Sequence, residues 1–240
     1  MQRNWADRHV LVTGAAGVIG GAVTRTLQAL GAAVTQVDRA PQRDMSYCDV
    51  TDPEDVERVV EVAHSSRPLT DCVHAAGLLL VGDIVSTDLE DIRSVVNVNL
   101  ISNFVLAQAI VPRLSNGSTF TVVASQAAFR GAAHWAAYCA SKAGAVSFTQ
   151  SLAHEVGPRG IRVNAVCPGS VDSPMMARSI DVLADLDGVG RSDVLKRYVD
   201  SIPLGRLATP QDVADCCALF MEDRARFISG ATVAVDGGEG

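Results

Sequence analysis

His9-Val10-Leu11-Val12-Thr13-Gly14-Ala15-Ala16-Gly17-Val18-Ile19-Gly20 is the stretch on which the fold turns. Its first five residues read as a short buried strand, the glycines as a tight turn, and the residues from the last glycine to Gly31 as a helix that Gly31 closes. Glycines placed between a first strand and a helix let the backbone approach a pyrophosphate, which rests on the free amides of the helix N-terminus. Gly14, Gly17, Val18, Ile19 and Gly20 are therefore candidate cofactor-binding residues. Eighteen residues beyond Gly20 (38 minus 20), the next β-branched run ends in Asp38. A carboxylate there suits the ribose hydroxyls of adenosine and repels a 2′-phosphate. Arg39 follows and could meet such a phosphate. The carboxylate is expected to win, because a partly buried like-charge contact costs more than an exposed arginine returns. NAD is the expected cofactor, in preference to NADP(H).

The same alternation runs through the chain. β-Branched runs at 9–13, 33–38, 71–75, 118–124, 161–166 and 231–235, with a shorter one at 46–49, are separated by amphipathic stretches. This predicts an α/β fold: a doubly wound, Rossmann-type parallel sheet of seven strands with helices on both faces, forming a single domain over 1–240. Asp52-Pro53, Thr87 with Glu90, and Thr209-Pro210 with Asp212 mark helix starts. The least regular part, 174–203, contains Asp185-Leu186-Asp187-Gly188-Val189-Gly190. It is expected to act as a substrate lid, helical only around 194–199.

Composition narrows the function classes. The 240 residues are 48% apolar and 20% charged, with mean hydropathy +0.20, enough for a sizeable core and too apolar for intrinsic disorder. Lys and Arg number 20 against 27 Asp and Glu, a net charge of −7, which opposes a nucleic-acid partner. No continuous apolar run reaches the roughly 18 residues that crossing a bilayer needs. The opening residues Met1 to His9 lack the apolar segment of a secretory leader. No membrane partner and a cytoplasmic location are expected. The six cysteines, at 48, 72, 139, 167, 216 and 217, form no C-x-x-C pair. They are expected to be reduced thiols packed as small hydrophobes, with no metal site.

Three polar residues suggest chemistry. Ser125 closes a strand, and Tyr138 and Lys142 lie four apart on a stretch read as one helix, 135–156, so they share a face. An ammonium beside a phenol stabilises phenolate. Moving the phenol pKa from about 10 towards 7 needs about 4 kcal/mol of differential interaction and would make Tyr138 a general acid/base near neutral pH.

With these motifs the chain resembles the compact single-domain branch of the short-chain dehydrogenase/reductase family, from Val10 to Gly238. The matches are the glycine turn, Asp49-Val50, Asn99 in Val96-Asn97-Val98-Asn99-Leu100, Ser125 thirteen residues before Tyr138 (138 minus 125), Tyr138-x-x-x-Lys142, and Pro168-Gly169 in Asn164-Ala165-Val166-Cys167-Pro168-Gly169. The resemblance implies that Tyr138 exchanges a proton with the substrate oxygen and that Ser125 holds that oxygen. It implies that Lys142 binds the nicotinamide ribose and lowers the Tyr138 pKa, while Asn99 holds a water of a proton relay. Asp49 and Val50 would meet adenine. Ala76 and Gly77 belong to the family's N-x-A-G segment beside the cofactor. Pro168 and Gly169 would lead to Val171 and Ser173 at the nicotinamide carboxamide.

Two departures stand out. Val18 occupies the place of the usual middle glycine, and is expected to crowd the pyrophosphate. Gly14-x-x-Gly17-x-x-Gly20 is the spacing of the family's longer branch, which includes sugar-nucleotide epimerases, but 240 residues are expected to leave no room for that branch's substrate domain. The other departure is His74-Ala75-Ala76-Gly77 in place of N-x-A-G, where His74 is expected to be a strand-end histidine bonded to a neighbouring strand. Gln126, Arg130, His134, Trp135, Met175, Met176 and Arg178 are candidates to face a small-molecule alcohol or ketone. Pro168 to Met175 and Ile202-Pro203-Leu204-Gly205-Arg206 are similar to the 2,3-dihydro-2,3-dihydroxybenzoate dehydrogenases. The expected activity is NAD-dependent interconversion of a secondary alcohol and a ketone. The alternatives are a 3-oxoacyl thioester reductase using NADP(H) and a catalytically silent cofactor-sensing regulator. A homo-oligomer, a tetramer in preference to a dimer, is expected through two long helices. Val105, Leu106, Ala109, Ala145, Phe148 and Leu152 place apolar side chains on more than one face of them.

Overall fold

The computed structural model describes residues 4–240. Residues 1–3, on which the expectation about a leader partly rests, lie outside the described residues. Seven parallel strands form one sheet: β1 His9–Thr13, β2 Ala33–Asp38, β3 Ser46–Tyr47, β4 Asp71–His74, β5 Thr119–Val123, β6 Arg162–Pro168 and β7 Thr232–Val235. Their order is β3-β2-β1-β4-β5-β6-β7, so the winding reverses between β1 and β4, which pair Val10 with Asp71 through Thr13 with His74. A crevice opens outside the carboxyl ends of the strands at such a reversal, which is where ligands bind in this class of sheet.

Helices cover both faces. α1 (Val18–Leu30) and α8 (Pro210–Met221) pack on one side, with Val23, Leu27, Val213 and Phe220 against Val10, Val12 and Val166. On the other side lie α2 (Pro53–Ser66), α3 (Leu89–Val96), α4 (Ser102–Ile110) and α5 (Ala136–Val156). Their Val56, Val60, Leu106, Ile110 and Phe148 pack on Leu11, Cys72, Phe120 and Val163. The central strands β1, β4, β5 and β6 are buried along their whole length because both faces are covered, whereas β2 and β7 are largely half-buried and the two-residue β3 is exposed at the sheet edge.

Four readings of the sequence change. The stretch read as irregular is two helices, α6 (Pro174–Asp187) and α7 (Arg191–Ser201), which bury Ile180, Ala184 and Val194 between them; only Gly188 to Gly190 breaks the run. Asp88, rather than Thr87, caps α3: its carboxylate accepts from the Glu90 amide at 2.8 Å, while the Thr87 hydroxyl is spent on the Asp83 carbonyl at 2.7 Å. β6 runs on to Pro168 because proline's carbonyl and the Gly169 amide can still serve β7, Pro168 pairing with Val235. The fourth concerns the two long helices. Leu106, Ala109, Ala145, Phe148 and Leu152 are buried in the chain's own core and Val105 is half-buried against it, while the exposed large apolar side chains of the two helical runs are Leu89, Ile101 and Phe104. By length and composition the 25-residue helical run Leu89–Arg113 is also apolar enough to cross a bilayer, although Asn97, Asn99 and Asn103 interrupt it so that it is no continuous apolar stretch. Here it packs against the sheet.

Candidate active site

The glycine turn is wedged between two backbones. Gly14 has φ +66°, and a Cβ on it would lie 2.6 Å from the Ala76 nitrogen, just past the end of β4. A Cβ on Gly20 would lie 2.2 Å from the Gly14 carbonyl oxygen. Neither can be accommodated without moving backbone, so the sequence must supply glycine at both. Gly17 caps α1, and Val18 is its first residue, 38% exposed and facing the cavity in front of the turn. The helix therefore presents free amides to that cavity. At the end of β2, Asp38 accepts from the Ala16 amide (3.1 Å) and the Ala40 amide (2.9 Å), which fixes the carboxylate beside the turn.

Gly14, Gly17, Val18, Ile19, Gly20, Asp38, Asp49, Val50, Ala76, Gly77 and Ser173 line this first cavity. A second cavity adjoins it along Ile19, Gly77, Ser173 and Met175, and gathers Ser125, Gln126, Arg130, Trp135, Tyr138, Lys142, Pro168, Gly169, Val171 and Met176. A cradle that any Cβ would fill, a helix N-terminus and a fixed acid at the second strand's end fit a dinucleotide, with its far end reaching the second cavity.

In the second cavity α5 sets Tyr138 and Lys142 one turn apart, the ammonium 5.8 Å from the centre of the phenol ring. Lys142 Nζ donates to the Val123 carbonyl at 3.1 Å. Burial lowers its pKa to about 8. Burial also raises the Tyr138 pKa, against which a hydrogen bond with Ser125 pulls down. The expected lowering by Lys142 is thus not the dominant effect of the protein's own groups: the phenol is desolvated, and desolvation favours its neutral form. Ser125 Oγ also accepts from the Ala127 amide at 3.1 Å, capping the short 3-10 turn Gln126–Ala128.

Asn99 sits beneath this floor, in a π-turn, Asn97–Ile101, between α3 and α4. Its Oδ1 accepts from the Leu78 amide (2.8 Å), and its Nδ2 donates to the Leu78 carbonyl (2.9 Å) and to Ser141 Oγ (3.0 Å). Both amide protons are committed, so the side chain pins the strand-end loop. Ser173 likewise spends its proton on the Val171 carbonyl (3.0 Å) and accepts from the Met176 amide (3.1 Å), capping α6. His74 bonds Thr13 Oγ1 on β1 through Nδ1 (2.6 Å), as expected of a strand-end histidine, and Ser102 Oγ through Nε2 (2.7 Å). Burial, then the nearby Lys142 charge, lowers its pKa to about 3.

Two substrate candidates move. His134 lines neither cavity; it stands at φ +69° with its carbonyl accepting from the Gly82 amide, so its backbone serves a loop. Arg178, one turn into α6, faces the cofactor cavity and not the substrate cavity. Tyr198, Ser179, Ser170 and Glu239 line the substrate cavity and were not anticipated. Tyr198 and Ser179 lie in the stretch misread as irregular. Glu239, in Asp236-Gly237-Gly238-Glu239-Gly240, carries no periodicity that would reveal it.

The family model described as enoyl-(acyl carrier protein) reductase matches residues 14–239. The trans-4-hydroxycyclohexanecarboxylate dehydrogenase of Sinomonas cyclohexanicum is 31% identical over 257 residues, covering 98% of this chain and 93% of its own. This chain belongs to the short-chain dehydrogenase/reductase family. The 3-oxoacyl-acyl-carrier-protein reductase of Rickettsia felis is 31% identical over 243 residues, 95% of each chain. Among solved structures, the ligand-free aldohexose dehydrogenase of Thermoplasma acidophilum is similar with TM-score 0.91 and 26% identity, over 100% of this chain and 96% of that one. This dehydrogenase/reductase is therefore an oxidoreductase of alcohol or ketone substrates with a nicotinamide cofactor.

Proposed function

We propose that this enzyme interconverts a secondary alcohol and its ketone with NAD(H), and that Tyr138 transfers the proton. The supporting observation is the meeting of Ser125, Tyr138 and Lys142 in a cavity that adjoins the one holding the glycine turn and Asp38. A nicotinamide held there supplies or accepts the hydride. Ser125, fixed by the Ala127 amide, orients the substrate oxygen. In oxidation Tyr138 takes the hydroxyl proton as the carbinol hydrogen leaves as hydride; in reduction it returns that proton to the ketone oxygen. Lys142 binds ribose hydroxyls and passes the proton on towards Asn99, whose Oδ1, accepting only from the Leu78 amide, retains acceptor capacity for a relay water. Because burial favours the neutral phenol, alcohol oxidation is promoted as pH rises, whereas ketone reduction uses the form already present.

The test is NADH formation over a panel of linear and cyclic secondary alcohols. Tyr138→Phe is expected to lower kcat by about a hundredfold or more while NADH still binds; full turnover in that variant sinks the mechanism.

Asp38 supports NAD. Arg39, which lines the same cavity, and the similarity to a 3-oxoacyl-acyl-carrier-protein reductase favour the second reading, reduction of a 3-oxoacyl thioester with NADPH. A higher kcat/KM with NADPH on such thioesters would select it. NADH binding without turnover of any alcohol or ketone would point to a cofactor-sensing regulator. We further propose a cytoplasmic homo-oligomer, a tetramer in preference to a dimer, without nucleic-acid or membrane partners.

A further inference from the structure

The substrate cavity ends in a carboxylate. The segment after β7 folds back so that Glu239 lines the same cavity as Ser125 and Tyr138. It is held in place from several directions. The Ser170 amide donates to Oε2 (3.2 Å), Ser170 Oγ donates to Oε1 (3.1 Å), Ser201 Oγ stands 3.5 Å from Oε1, and Arg130 donates to the Glu239 main-chain carbonyl (3.3 Å). Room for it depends on Gly169, where a Cβ would lie 2.8 Å from Oε2. Among the described residues no cation pairs with this carboxylate. An ionised carboxylate offers about four acceptor sites, and Ser170 fills two.

Other groups in the wall have the same character. Gln126 Oε1 is buried and has no hydrogen-bond partner among the described residues. Tyr198 lies close enough to Glu239 that, after burial, the carboxylate is the next cause of its raised pKa. The Glu239 carboxylate thus offers unfilled acceptor sites and negative charge to this cavity, beside the Arg130 guanidinium, which lines the same wall and is engaged with the Glu239 main-chain carbonyl. A ligand group meeting the carboxylate must bring a hydrogen-bond donor to it. An anionic ligand would set like charge against like in a partly desolvated space.

We infer that Glu239 is a specificity-determining residue that selects a neutral, hydroxyl-bearing alcohol or ketone by accepting a hydrogen bond from a second hydroxyl remote from the reacting carbon, and that it rejects substrates carrying a carboxylate there. This rests on the oxidoreductase reading above and names its substrate class.

Butane-1,3-diol and 3-hydroxybutyrate test it, because they share the secondary carbinol and differ in the remote group. Binding is followed by fluorescence of Trp135, in the cavity wall, in the presence of NADH, and turnover is followed in parallel with NAD+. The native enzyme is expected to favour the diol by about tenfold or more, as a hydrogen bond to a charged group and a like-charge repulsion both contribute. Glu239→Gln, with a melting temperature near that of the native enzyme, is expected to bring the two ligands within about threefold. Glu239→Leu, which has no acceptor, should weaken the diol further. An equal or tighter affinity for 3-hydroxybutyrate in the native enzyme, a ratio unmoved in Glu239→Gln, or binding of neither ligand at saturating concentration overturns the inference. Charge-selective binding without turnover of any alcohol would instead defeat the oxidoreductase reading and leave the role of Glu239 intact.

Discussion

Asp38 shows how one side chain serves local structure and selectivity together. Both its oxygens accept main-chain amides, Ala16 in the glycine turn and Ala40 just beyond the strand, so its negative charge is aimed rather than free to swing away. Asp38→Asn keeps an acceptor and removes the charge. It is expected to tighten NADPH binding by about tenfold, with Arg39 alongside, and to weaken NADH; fluorescence titration of both nucleotides measures the ratio. His74 carries a different consequence. Ser102 Oγ donates to the Val98 carbonyl (2.6 Å), so it can only accept from Nε2, which leaves Nδ1 to accept from Thr13. The ring is thereby fixed neutral, with no site for a further proton. The folded pKa of about 3 lies below the ordinary 6.5 of the unfolded chain. The unfolded state therefore binds the extra proton first, and this stability is present above about pH 6.5 and is lost as pH falls towards 3. Urea midpoints at pH 7 and pH 5 should fall further apart in the native protein than in His74→Gln.

At the scale of elements, the π-turn at Asn97–Ile101 is the device that matters most for the site. An extra residue in the turn brings Asn99 onto the peptide of Leu78, at the end of the β4 loop, and so joins the helix run to the cavity floor. π-turns within helices are uncommon and often coincide with functional sites. Asn99→Ala would leave the Leu78 amide and carbonyl without their partners. The expected cost is about 2–4 kcal/mol of stability, together with a loss of turnover exceeding any change in NADH affinity; denaturant melts and kcat measured side by side separate the two. The two-helix stretch α6–α7 is of another kind. Its small apolar contact, Ile180, Ala184 and Val194, is separate from the main core, so it holds together as a unit over the cavities.

For the whole molecule, the reversal of winding between β1 and β4 places one cavity at the glycine turn and the second beyond it, towards β5 and β6. The proposed assembly belongs at this scale too. With the larger apolar residues of α4 and α5 mostly packed on the chain's own core, Phe104 (47% exposed, edge-on to Phe148 at 4.7 Å) and the neighbouring Ile101 (43% exposed) are the large apolar side chains presented to a second copy. Ile101→Glu with Phe104→Glu is expected to reduce the oligomer to smaller species in light scattering, since charge at an apolar contact is strongly unfavourable.

The sequence by itself determined the sheet, its parallel sense and its glycine turn, because hydrophobic period and turn chemistry are local properties. It also put Tyr138 and Lys142 on one helix face by their spacing of four, and the family resemblance added Ser125 thirteen residues earlier; the structure brings all three into one cavity. It misjudged 174–203, where polar helix faces and a Gly188-x-Gly190 break masked the period, and it assigned to a partner apolar residues that the core consumes. The presence of Glu239 and Tyr198 in the cavity, the cavity that Arg178 faces and the burial that raises the Tyr138 pKa were decided only by the tertiary structure. Each depends on which groups far apart in sequence share a desolvated space, and burial and charge proximity are set by packing rather than by neighbours along the chain.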